Sequence, residues 1–143
     1  EDELDDLGAS AYHEAGHAVV ARILGTPVQR VTINGRTGTL VRHGTVAATR
    51  ALITFSGPLA EARHCGLTAD DEARLWPDQW RGDLRNLLRY NGVGMLAPLR
   101  AQAETLVARH WTSIERVASA LLAQADRALY RAKQLGRDRY VLA

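Results

Sequence analysis

Ala11-Tyr12-His13-Glu14-Ala15-Gly16-His17-Ala18-Val19-Val20-Ala21 sits within a periodic stretch, residues 7–24, in which Leu7, Ala11, Ala15, Ala18, Val19 and Ile23 recur at three- and four-residue steps. That period predicts a helix with one apolar face, and Gly25 followed by Pro27 predicts its end. Four residues turn a helix through about 400°, so His13 and His17 leave one face about 6 Å apart. Two imidazole nitrogens at that spacing can reach one zinc ion at roughly 2.0–2.1 Å each. Glu14 points about 100° further round, poorly placed as a ligand but well placed to act as a general base on a water beside the metal. Ala15 and Gly16 leave the helix surface open to a close neighbour or a substrate. Gly16 costs about 1 kcal/mol of helix propensity, which a purely scaffolding helix has no evident reason to bear.

Outward from this helix the pattern changes. Residues 28–34 are rich in β-branched side chains, Asn34-Gly35 is a hairpin signal, and residues 38–42 and 45–49 can supply two more short strands. A small antiparallel sheet is therefore expected after the first helix. Residues 50–64 return to helical composition, interrupted at Ser56-Gly57-Pro58, where the helix must kink or restart with Ser56 as its cap. Residues 66–79 read as a long loop, 80–90 as a helix ending at Asn91-Gly92, and the apolar stripe from Leu99 through His110 to Leu121 as one long helix over 98–122. A last helix is expected over 124–135, ending at Gly136, with 140–142 extended. The fold class is thus α+β and mainly helical, one domain over 1–143 with its core at about 7–122 and a C-terminal helix and tail at 123–143.

Composition bounds the rest. Hydrophobic residues make up 46% and charged residues 24% of 143, the mix of a globular domain able to bury a core without cross-links. The longest uncharged apolar run, residues 51–60, is half the length a membrane span needs. One cysteine, Cys65, excludes an internal disulfide and a paired-thiolate zinc site, fits a reducing cytoplasm, and reads as a small buried hydrophobe. The acidic start has no basic leader or hydrophobic signal region and no Met, so it argues against secretion and reads as the start of a fragment. Residues 1–72 hold six basic against ten acidic side chains, and residues 73–143 twelve against six. The basic residues are spread singly along helices, which disfavours a nucleic-acid partner. His110, Trp76, Trp80 and Trp111 read as packing residues, with Trp76 and Trp80 near enough to roof a site.

A catalytic zinc needs a third protein ligand, and pattern alone leaves His43, His64, Glu61, Asp70, Asp71, Asp78 and Asp83 open. A resemblance bears on the choice. Residues 11–21 resemble the zinc-binding helix of the FtsH family of ATP-dependent, membrane-anchored zinc peptidases, in which A-x-H-E-A-G-H-A is characteristic. Val28 to Ile33 resembles that family's strand, Ser56 to Arg63 with Gly66 its G-R-A-A-E-E helix and closing glycine, and Gly82-Asp83-Leu84 the opening of its third-ligand helix. The resemblance covers about residues 9–122 and implies Zn2+ held by His13, His17 and Asp83, with Glu14 as catalytic base. It leaves Glu61 either bonding a ligand imidazole or standing as an ordinary surface glutamate.

The departures matter as well. No G-x-x-x-x-G-K-[ST] phosphate loop and no membrane anchor occur in this stretch, and Pro58 stands where the family usually has Arg. Residues 125–139 resemble the last helix and strand of GGDEF-type diguanylate cyclases, without the signature loop or nucleotide site of a cyclase. The expected function is a zinc-dependent endopeptidase acting on unfolded or flexible polypeptide in the cytoplasm, with a separate ATPase or adaptor and self-association as compatible partners. The alternative is a metal-binding or peptide-binding module that does not cut.

Overall fold

The computed structural model describes residues 2–33, 40–41 and 46–142. Among these residues six helices follow one another: α1 (Asp2–Ile23), α2 (Ala47–Cys65), α3 (Ala69–Leu75), α4 (Arg81–Tyr90), α5 (Leu96–Arg109) and α6 (Trp111–Leu142), with a 3₁₀ turn at Val93–Met95 before α5. The chain is mainly helical. No helix among the described residues is long and apolar enough to cross a membrane.

α1 runs from the acidic start to the predicted stop, where Gly25 adopts φ 77° and the Thr26 amide donates to the Ala21 carbonyl at 2.8 Å. Its apolar face, Ala11, Ala15 and Val19, lies against α2 and α6. α2 is the hub, packed on α1, α4 and α5, and every residue from Ile53 to Ala62 is buried. Phe55 of α2, Leu87 of α4, Leu99 of α5 and Ile114 of α6 meet in this core, each contributing about 1.5–3 kcal/mol by burial.

Several expectations are corrected. The small antiparallel sheet is not formed as expected: β1 (Val28–Arg30) makes an irregular antiparallel pairing with the two residues of β2 (Leu40–Val41), and residues 47–49, expected in a third strand, are the first turn of α2. The Asn34-Gly35 turn lies outside the described residues. α2 neither stops nor restarts at Ser56-Gly57-Pro58. Pro58 removes one ladder donor, a defect worth about 3 kcal/mol in an exposed helix, but here it lies in the most heavily buried part of the molecule, where packing overrides propensity. Ser56 is no cap: its hydroxyl donates to the Leu52 carbonyl at 2.6 Å.

The loop expected over 66–79 contains α3, opened by a capping box in which the Thr68 side chain accepts from the Asp71 amide and Asp71 accepts from the Thr68 amide. The single helix expected over 98–122 breaks at His110, half-buried between helices, so that α5 can pack on α2 while α6 packs on α1. α6 then continues through Gly136 to Leu142, in place of the expected stop and extended end. Cys65 is exposed at the end of α2, not buried.

Candidate metal centre

Where α1 crosses α2 the backbones approach closely. A Cβ on Gly16 would collide with the Ser56 carbonyl and lie 2.8 Å from Ala60 Cβ, so packing alone accounts for this glycine. Gly16 thus serves the scaffold itself, contrary to the expectation that a scaffolding helix has no use for it. A second glycine has a more local effect. A Cβ on Gly57 would fall 2.8 Å from Cδ2 of His17 and closer still to its Nε2 and Cε1, so the imidazole sits in space that only glycine leaves.

Each histidine is oriented through one nitrogen. His17 Nδ1–H donates to the Ile53 carbonyl at 2.8 Å, and His13 Nδ1–H donates to Glu61 Oε1 at 2.8 Å. Their Nε2 atoms therefore face a common point, and that point is occupied by Asp83. Its Oδ2 lies 2.8 Å from His13 Nε2 and 3.5 Å from His17 Nε2. Three donors tetrahedrally placed around zinc, with bonds of about 2.0–2.1 Å, stand about 3.3 Å apart. His13, Glu14 and His17 also bring one ligand atom each within 4.8 Å of one another, and Asp83 presents one carboxylate oxygen within 3.5 Å of both imidazoles. Two imidazole nitrogens and a carboxylate oxygen form a donor set suited to zinc, and pinning each ring through its other nitrogen is the usual support for such ligands.

Electrostatics join these groups tightly. Burial opposes charging His13, but hydrogen bonds to Asp83 and Glu61 and the charges of Asp83 and Glu14 outweigh it, raising its pKa from 6.5 to about 10. His17 also moves up, burial being outweighed mainly by the Asp83 charge. Burial acts to raise Asp83, yet the charge of His17 and hydrogen bonds from both imidazoles hold it well below the usual carboxylate range. These opposite shifts favour an imidazolium facing a carboxylate across the His13–Asp83 contact.

Beside it lies a cleft of about 430 Å³ lined by Ser10, His13, Glu14, Glu61, Gln79 and Trp80. Glu14 thus borders open space next to the donors. Glu61 is not the surface glutamate that composition allowed: at 8% exposure it accepts from His13 and from the indole N–H of Trp80, the latter at 2.9 Å. Trp80 does stand against the site, its ring centroid 6.4 Å from that of His13, while Trp76 packs edge-on between Phe55 and Trp80.

The other ligand candidates lie apart. His64 stacks on Tyr12 at 3.8 Å, and Asp71 is engaged in the α3 capping box and with Arg74. His43 lies outside the described residues. Asp70 belongs to the exposed first turn of α3 and Asp78 to the turn before α4, and neither takes part in an ion pair of the donor cluster. Sequence reasoning missed the Ile53 carbonyl and Gly57, the latter hinted at only by a glycine beside a proline in an otherwise helical run, and it placed Trp80 near a site without the bond from its indole N–H to Glu61. Comparison with known protein families, curated proteins and solved structures finds no match for the chain.

Proposed function

We propose that this chain is a zinc-dependent endopeptidase that hydrolyses peptide bonds in unfolded or flexible polypeptides. The observation that carries the reading is the convergence of His13 Nε2 and His17 Nε2 on Asp83 Oδ2, at 2.8 and 3.5 Å, beside a cleft that Glu14 borders. His13, His17 and Asp83 would hold the metal. Zinc bound in this way supplies Lewis-acid polarisation of a carbonyl and a lowered pKa for water. Glu14 removes the proton from the attacking water and passes it to the departing amine. Glu61 and the Ile53 carbonyl keep the two imidazoles in the tautomer that turns Nε2 to the metal.

The substrate class follows from what the stretch contains. Its chemistry needs no nucleotide, and no phosphate loop is present among its 143 residues to drive unfolding. The proposed substrates are flexible or unfolded polypeptides, delivered where needed by an ATPase or adaptor. The resemblance of residues 9–122 to FtsH-type peptidases supports the same reading, and a reducing, cytoplasmic setting is proposed with it.

One observation favours a second reading. The direct 2.8 Å contact of His13 with Asp83 is a satisfied ion pair in its own right, which a non-catalytic metal-binding or peptide-binding module could retain without turnover. Metal content measured together with cleavage of an unstructured protein, without ATP, separates the two. Stoichiometric zinc with turnover that depends on Glu14 supports the peptidase. Stoichiometric zinc with no cleavage supports the module.

A further inference from the structure

Glu61 is held by two donors on a single oxygen: His13 Nδ1–H at 2.8 Å and Trp80 Nε1–H at 2.9 Å both end on Oε1. We propose that Trp80 is a positioning residue of the metal site, its indole N–H holding the Glu61 carboxylate where it fixes the His13 ring. The proposal rests on the metal-centre reading and deepens it.

Trp80 is 2% exposed, so its N–H is shielded from bulk water and depends on Glu61 for its hydrogen bond. The glutamate side chain has freely rotating bonds, and a single contact to His13 would leave it free to swing with that ring. The second donor comes from another element and removes this freedom. The same residue also sets the other arm of the site. Trp80 precedes α4, its amide donates to the Leu75 carbonyl at 2.9 Å, and its carbonyl accepts from the Leu84 amide at 2.9 Å. Asp83 stands three residues further on, in the first turn. Through its indole Trp80 orients His13, and through its backbone it anchors the turn that delivers Asp83. These two contributions are separable, because replacing Trp80 with Phe keeps the backbone and an aromatic ring while removing the N–H together with part of the indole's buried bulk, a loss of packing that Trp76→Phe matches without touching the Glu61 contact.

Trp76 provides the control. It packs edge-on against Trp80 at 5.1 Å and against Phe55 at 5.9 Å, in the same aromatic cluster but one residue removed from His13. The experiment measures zinc dissociation constants by chelator competition for wild type, Trp80→Phe, Trp76→Phe, Glu61→Met and the Trp80→Phe/Glu61→Met double variant, with thermal melts to establish folding. Nitrogen NMR of the zinc-loaded proteins reports the tautomer and order of His13. Outer partners of ligating histidines change metal affinity by about 10–100-fold. Trp80→Phe should weaken zinc by about 10-fold and broaden the His13 signals, Trp76→Phe should stay within about 2-fold, and Trp80→Phe should add almost nothing once Glu61 is Met. Wild-type affinity in Trp80→Phe, or an undiminished loss in the Glu61→Met background, overturns the proposal. Absence of stoichiometric zinc in the wild-type protein overturns the metal-centre reading itself. If Glu61→Met does not fold, the single variant and the His13 signals still decide: sharp, wild-type His13 resonances in Trp80→Phe overturn the positioning role.

Discussion

Gly57→Ala is the sharpest test of the metal-centre geometry, because a single methyl group lands on one proposed ligand, which supplies all three of its nearest atoms. The added Cβ would stand 2.8 Å from His17 Cδ2 and nearer to Nε2 and Cε1. Carbon atoms settle at about 3.5–4.0 Å, so the ring must retreat by roughly 1 Å or swing out of its slot. Either movement breaks the 2.8 Å hydrogen bond from His17 Nδ1 to the Ile53 carbonyl and takes Nε2 away from Asp83. Overpacking of this kind costs about 1–3 kcal/mol, and replacing glycine by alanine within a helix returns about 1 kcal/mol. The melting temperature should therefore fall only modestly. Zinc affinity should fall far more, by about 100-fold or beyond, because a ligand is displaced where loss of a mere supporting partner already costs 10–100-fold. Gly82→Ala is the matched control: a Cβ there meets nothing within 4 Å, two residues into the first turn of α4. It should leave zinc affinity unchanged and stabilise slightly, by up to about 1 kcal/mol. The assay is chelator competition for zinc alongside thermal denaturation. Wild-type zinc affinity in a folded Gly57→Ala protein would refute the argument that His17 binds metal from the space Gly57 leaves.

Replacing Glu14 with Gln should keep one zinc per chain while turnover on an unstructured protein drops by about 10²–10⁴; equal cleavage by the variant would assign the activity to another base or another enzyme. Asp83→Ala should weaken zinc strongly, whereas Asp70→Ala and Asp71→Ala should not, and the reverse order in a metal titration would move the third ligand into α3. The pKa of His13 lies at about 10 in the metal-free fold against 6.5 ordinarily. Its contribution to metal-free stability is therefore full below about pH 6.5 and is lost as the pH rises through about 10. Zinc must displace that proton, so binding at pH 7–8 should release protons and tighten as the pH rises, which calorimetry in buffers of different ionisation heat detects; pH-independent affinity across this range would contradict the ion pair. The Asp71 carboxylate is held low chiefly by hydrogen bonds from Thr68, so the stabilisation lost in Asp71→Asn should be present above about pH 4 and vanish as the pH falls through the lowered value. A deficit that persists in acid would place the effect elsewhere.

What the sequence determined by itself is whatever a single turn of chain contains. The 3.6-residue period makes His13 and His17 neighbours in any helix, and Gly25 ends that helix at φ 77°. The Thr68-to-Asp71 capping box was just as local and could have been read, since Thr-x-x-Asp before a charged helix is its signature. Other features had no local signal. Pro58 ordinarily breaks a helix, and it is tolerated because α1, α4 and α5 cover α2 on several sides. Glu61 looks like any helical glutamate until the approach of α1 and Trp80 buries it at 8% exposure and supplies its two donors. Resemblance singled out Asp83, but its meeting with His13, 70 residues earlier, depends on how α4 lies across α2. Gly16 and Gly57 mean one thing as breaks in propensity and another as the only residues that fit against Ser56 and His17. Backbone period and caps act between residues a few positions apart, so they are written in order along the chain. Burial, collision and the pairing of charges act between whichever surfaces are brought together, and only the packed helices decide which those are.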